Sequence, residues 1–165
     1  VMQLFLLRHG IAEDRGASGT DFDRALTTDG RAQLACVARG LRRLKVVPTA
    51  ILSSPLVRAR QTAEIVAPVL GRDVEIVDQL AAGVRFEEML HVIEDRDDAG
   101  SLMLVGHEPD LSTAAALLVG APEDALVLKK AGLIRVDLHG PPAAGSGQLR
   151  WLLTPSQLAL IGDAP

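Results

Sequence analysis

Tyrosine is absent from this 165-residue chain, and Phe5, Phe22, Phe86 and Trp151 are its only aromatic residues. That leaves no platform of rings on which nucleotide bases could stack. Cysteine occurs once, at Cys36. An internal disulfide is therefore excluded, no zinc-type spacing surrounds it, and Cys36 reads as a small hydrophobe on a helix face. No apolar run approaches the length of a membrane span, and the start lacks the charged region and cleavage site of a secretory signal. Val1-Met2 reads as a native start behind one added residue, and the cytoplasm is the expected compartment. Positive charge is not in excess either. The net charge of -4 argues against a general nucleic-acid binder, so any arginine cluster must be local and specific. No Gly-x-x-x-x-Gly-Lys loop, no Gly-x-Ser-x-Gly elbow and no histidine–acid pair at metal-ligand spacing occurs, and no metal is expected.

What is present is an ordinary globular balance, with 48% hydrophobic and 23% charged residues. Its length suits a single domain over 1–165 with a substantial core. Residues 3–7 (Gln-Leu-Phe-Leu-Leu) and 101–105 (Ser-Leu-Met-Leu-Val) are continuous apolar runs, the pattern of strands buried on both faces. Residues 11–25 form a polar loop with Glu13, Asp14, Asp21 and Asp23. Thr27-Thr28-Asp29-Gly30 resembles a helix start, and Leu34, Val37, Leu41 and Leu44 follow at helical spacing until Pro48. Ala50–Ser53 is a short strand. Ser54 reads as the cap of the next helix and Pro55 as its first residue, with Gly71 as its stop. Residues 73–77 alternate like a strand, and residues 85–98 read as a charged amphipathic helix. A helix follows Gly106-His107-Glu108-Pro109. Residues 133–138 and 148–153 read as antiparallel strands, and Pro155 opens a last helix. Alternating strands and helices predict an α/β/α sandwich with a largely parallel sheet.

In such sheets ligands bind beyond the carboxyl ends of the strands. Arg8-His9-Gly10 and Gly106-His107 stand at two of those ends, and Arg58 lies in the first turn of the helix after the second strand. A neutral imidazole is a good nucleophile toward phosphorus near neutral pH, provided its other nitrogen is held by an acceptor such as a backbone carbonyl. His9 is the candidate nucleophile. Arg8 and Arg58 would grip phosphoryl oxygens with planar, permanently charged guanidinium groups. His107 would donate to a phosphoryl oxygen, helped by the helix start beside it. Gly10 would leave room for close approach of the phosphate. Arg60, His91 and His139 are read as solvated side chains.

Leu7-Arg8-His9-Gly10, the stretch Ser53-Ser54-Pro55-Leu56-Val57-Arg58-Ala59-Arg60-Gln61-Thr62 and the later Gly106-His107 resemble the histidine phosphatase superfamily, which includes the phosphoglycerate mutases. Chain length and Ala25-Leu26-Thr27-Thr28-Asp29-Gly30 are similar to its smallest branch, the SixA-type phosphohistidine phosphatases. The resemblance runs from residue 2 to about residue 120. It implies that His9 becomes phosphorylated, that Arg8 and Arg58 clamp the phosphate and that His107 is the second histidine. It further implies a six-stranded mixed sheet between helices, and no cofactor. Larger members carry a carboxylic acid donor in an insertion after the third strand; residues 78–85 here are short and lack it. Glu108, Asp110, Glu87 and Glu88 are the remaining acids to consider. The leading reading is a phosphohistidine phosphatase acting on a phosphorylated protein, with no nucleic-acid or membrane partner and a monomeric state expected. A small-molecule phosphomonoesterase and a non-catalytic phosphate-binding module are the other two readings.

Overall fold

A computed structural model describes all 165 residues. Six strands form one mixed sheet in the order β3-β2-β4-β1-β5-β6. In chain order the elements are β1 (Met2–Arg8), α1 (Thr28–Arg43), β2 (Ala50–Ser53), α2 (Val57–Val69), β3 (Val74–Ile76), α3 (Phe86–Glu94), β4 (Ser101–Gly106), α4 (Asp110–Leu118), β5 (Leu133–Leu138), β6 (Gly147–Leu153) and α5 (Pro155–Asp163). Strands β3, β2, β4 and β1 run parallel, while β5 runs antiparallel to β1 and β6 antiparallel to β5. No helix is long and apolar enough to cross a membrane.

The two apolar runs take the central positions. Along β1, Phe5 and Leu7 enter one core with α1, α2 and Leu158 of α5, whereas Leu4 and Leu6 enter a second core with α3 and α4. Alternation with apolar residues at every position is what a strand covered on both faces requires. The α1 start is the predicted one: Thr27 Oγ1 accepts from the Gly30 amide at 2.9 Å. At α5, Pro155 stands in the first turn behind a Thr154–Gln157 capping box.

Two expectations need correction, and one element has no counterpart among them. Helix α3 ends at Glu94 rather than Asp98. Its buried stripe of Met89, Val92 and Ile93 ends there, and Asp95, Asp97 and Asp98 continue as turns. Helix α2 begins at Val57, behind Leu56, so Ser54 and Pro55 precede it. Ser54 stays with the sheet edge instead, its amide donating to the Val105 carbonyl at 3.0 Å. A short 3-10 turn at Asp78–Leu80, unforeseen from the sequence, links β3 toward α3.

Candidate active site

Strand register assembles the site. Arg8 of β1 pairs with Gly106 of β4, and Ser53 of β2 pairs with Val105. The next residues on the three strands are His9, His107 and Ser54, so one sheet edge presents all three. The His9 amide donates to the Gly106 carbonyl at 3.1 Å, and the two imidazole centroids lie 5.3 Å apart. Arg58, second residue of α2, enters from the same edge. Arg8, His9, Arg58 and His107 are thus brought together as the sequence reading expected. Arg60, His91 and His139 are exposed, the first paired with Glu64 and the second with Glu94.

His9 is 6% exposed, and its Nδ1 lies 2.7 Å from the Gly10 carbonyl oxygen. That oxygen can only accept, so Nδ1 carries the proton and Nε2 carries the lone pair. Arg58 Nε donates to this Nε2 at 3.3 Å. Burial pushes His9 down to about 3, with the charges of His107, Arg58 and Arg8 acting in the same direction. His107, 3% exposed, is pushed down to about 4, first by burial and then by Arg58. Both rings are therefore neutral at pH 7.

His107 Nε2 lies 2.7 Å from Ser54 Oγ, and its Nδ1 is buried without a partner. Ser54 Oγ also accepts from the Leu56 amide at 3.2 Å. The hydroxyl read as a helix cap thus orients the second histidine. Arg8 donates through one terminal nitrogen to the Leu128 carbonyl at 2.9 Å, and its Nε is buried and unpartnered. Burial lowers the Arg8 proton affinity, which nearby Glu108 partly restores. An unpartnered guanidinium nitrogen and an unpartnered imidazole nitrogen on residues flanking His9 are an incomplete hydrogen-bond set of the kind an anion completes.

Two parts of the sequence reading change. Gly10 does not open space for a phosphate. A Cβ there would lie 2.7 Å from Leu34 Cδ1, on the core side, and the Gly10 amide already donates to Thr62 Oγ1 at 3.1 Å. Glycine is needed for packing, while the backbone serves His9. Nor is the start of α4 an open anion site. Glu108 accepts from the Ser112 amide at 2.9 Å and its hydroxyl at 2.6 Å, so a carboxylate already occupies the first turn. Asp110 accepts from the Gly83 amide at 2.8 Å, with burial raising its proton affinity. Glu88 accepts from the Arg85 amide at 3.0 Å, and Glu87 is exposed on α3. The carboxylate that does touch a site residue is Asp21, whose Oδ2 accepts from Arg58 at 3.1 Å. It lies in a loop with no periodicity or motif spacing that marks it. No group of three His, Cys, Asp or Glu side chains converges to hold a metal ion.

Comparison with known proteins agrees with this geometry. Residues 4–83 match the model of the histidine phosphatase superfamily, branch 1. A Picosynechococcus protein of uncharacterized function is 43% identical over 137 residues, covering 81% of this chain and 83% of its own. The chain belongs to the histidine phosphatase superfamily. Phosphohistidine phosphatase SixA of Escherichia coli is 28% identical to this histidine phosphatase over 163 residues, 96% of this chain and 98% of the relative. A solved structure of the protein histidine phosphatase SixA complexed with tungstate matches with a TM-score of 0.84 at 26% identity, covering 95% of this chain and 99% of that one. The present chain is a phosphatase with the phosphoglycerate mutase-like fold of this superfamily.

Proposed function

We propose that this phosphatase hydrolyses phosphohistidine on a protein through a covalent intermediate on His9. The observation that carries the reading is a neutral, oriented His9 Nε2 at an arginine-lined site that lacks a free acid donor. Glu108, Asp110 and Glu88 are each held by backbone amides, and Asp21 is held by two arginines. A serine or sugar alkoxide leaving group needs a general acid. An imidazole does not to the same degree, because its pKa is near ~6.5.

In this mechanism His9 Nε2 attacks phosphorus in line. The P–N bond to the substrate histidine breaks, and its electron pair stays on the departing imidazole nitrogen. Arg58, Arg8 and His107 Nδ1–H hold the non-bridging oxygens, which carry the charge throughout. His107 acts as that donor when the Ser54 hydroxyl donates to its Nε2. Water then attacks the phospho-enzyme, the P–N bond to His9 breaks and phosphate leaves. The low proton affinity of His9 keeps Nε2 unprotonated for the first step and makes it a good leaving group in the second.

The recessed rings favour a phosphoryl group at the end of a projecting side chain, and the short link between β3 and α3 adds no lid. The similarity to SixA supports the same substrate class. Purified protein mixed with a phosphohistidine-loaded phosphotransfer protein is expected to release its phosphate, and to turn over sugar and nucleotide phosphomonoesters at least ~100-fold less efficiently. The opposite preference would replace this reading with the small-molecule one. Anion binding with no turnover of either class would indicate a non-catalytic phosphate-binding module.

A further inference from the structure

The polar loop before α1 makes one specific contact with the site. Arg58 is 5% exposed, and all the polar contacts of its guanidinium go to two residues. Its Nε points at His9 Nε2, one terminal nitrogen donates to the Asp21 carbonyl at 2.9 Å and the other to Asp21 Oδ2 at 3.1 Å. Asp21 is itself anchored. Its Oδ1 accepts from Arg24 at 2.9 Å, and the neighbouring Phe22 carbonyl accepts from the Val57 amide at the start of α2 at 3.0 Å. The loop is therefore fastened to the helix at both the backbone and the side chain of its arginine.

We infer that Asp21 is a positioning residue: it holds Arg58 by the terminal nitrogens so that the Nε edge stays directed at the reacting nitrogen of His9. This rests on the reading of His9 as nucleophile and Arg58 as phosphoryl clamp. A guanidinium has five N–H donors. Three are engaged here, so two remain for phosphoryl oxygens, and the Nε–H is released when Nε2 bonds to phosphorus. Asp21 thus orients Arg58 without competing for the donors the phosphoryl group needs. Without its carboxylate, Arg58 keeps only the Asp21 carbonyl and His9 as partners, and a side chain with several rotatable bonds loses one of its two terminal anchors beside a nucleophile that requires fixed geometry. Asp21 also places a negative charge where His107 faces His9, Arg8 and Arg58, and it favours protonation of His107.

The test compares wild type with Asp21→Ala and Asp21→Asn on a phosphohistidine-loaded phosphotransfer protein, with tungstate affinity and the His107 titration followed by NMR. Asp21→Ala is expected to lower kcat ~10- to 100-fold with KM within ~3-fold, the scale of a misplaced group near the reacting atoms. Asp21→Asn keeps an acceptor for Arg58 and is expected to recover most of kcat. Tungstate affinity stays equal or rises in both variants, because a like charge has been removed. His107 titrates lower in both, since both lose that charge. Wild-type kcat in Asp21→Ala, or an Asp21→Asn variant as slow as Asp21→Ala, would overturn the inference alone. A wild-type protein inactive on the phosphoprotein would instead remove the functional reading on which it rests.

Discussion

Lowering the pH from about 7.5 to about 5 protonates His9 and His107 in the unfolded chain but not in the folded one. Their folded pKa values, about 3 and about 4, lie below the unfolded value of 6.5. The unfolded state then binds more protons, so stability is complete above pH 6.5 and falls as the pH drops toward the folded values. At pH 5 the folded rings remain almost wholly neutral, so the loss is set by the unfolded titration. It amounts to about 2 kcal/mol per histidine, and about 4 kcal/mol for the pair. That is a large part of the 5–15 kcal/mol typical of a domain. The lowered carboxyl groups of Asp21, Asp23 and Glu88 act mainly at lower pH, because their ordinary values are 3.8, 3.8 and 4.5. Urea unfolding at several pH values reads the effect directly. The slope near pH 5 should approach that of two protons, about 2.7 kcal/mol per pH unit. The His9→Gln/His107→Gln variant should lose that slope. If the double variant does not fold, NMR titration of the wild-type rings replaces it. Wild-type stability that is flat between pH 7.5 and 5, or rings that titrate near 6.5, would show that burial does not hold these histidines neutral.

Replacing Ser54 by Ala removes the hydroxyl partner of buried His107 Nε2. It should cost about 1–3 kcal/mol in denaturant unfolding, with a fall in turnover that His9 alone cannot prevent. Arg58→Lys keeps the charge but loses the fork that reaches both His9 and Asp21, and phosphoprotein kcat/KM is expected to fall ~100-fold or more. Glu108→Gln should lower stability by about 1 kcal/mol through the first turn of α4 while leaving the alkaline limb of the pH–rate profile in place. Loss of that limb would make Glu108 a proton donor after all. Gly10→Ala should destabilise the fold by about 1–3 kcal/mol, because the added methyl meets Leu34.

The parts of this molecule written as local pattern were legible in advance. β1 and β4 are continuously apolar over residues 4–7 and 102–105 because both faces of the central sheet are covered, and that run is visible without any knowledge of partners. His9 and His107 follow from the same reasoning, since they stand where those two runs break, and Arg58 from its place in the first turn of the helix after β2. Contacts between distant segments were not legible. Asp21 reaches Arg58 across 37 positions from a loop without periodicity. The Leu128 carbonyl that takes Arg8 belongs to the backbone, which any residue could supply. Ser54 suits a helix cap by local pattern, and only the register of β2 against β4 places its hydroxyl at His107 instead. For α3 the run of charges past Ile93 looked like a solvated helix face, but without an apolar stripe it had nothing to pack.

The proposed mechanism requires a phosphoryl group covalently held on His9. Intact-protein mass spectrometry after brief mixing with a phosphohistidine-loaded phosphotransfer protein, quenched without acid, tests it most directly. A transient gain of one phosphoryl mass is expected on the wild type and not on His9→Ala, as the partner loses the same mass. An adduct that persists in His9→Ala, or phosphate release with no adduct at any mixing time, would contradict it.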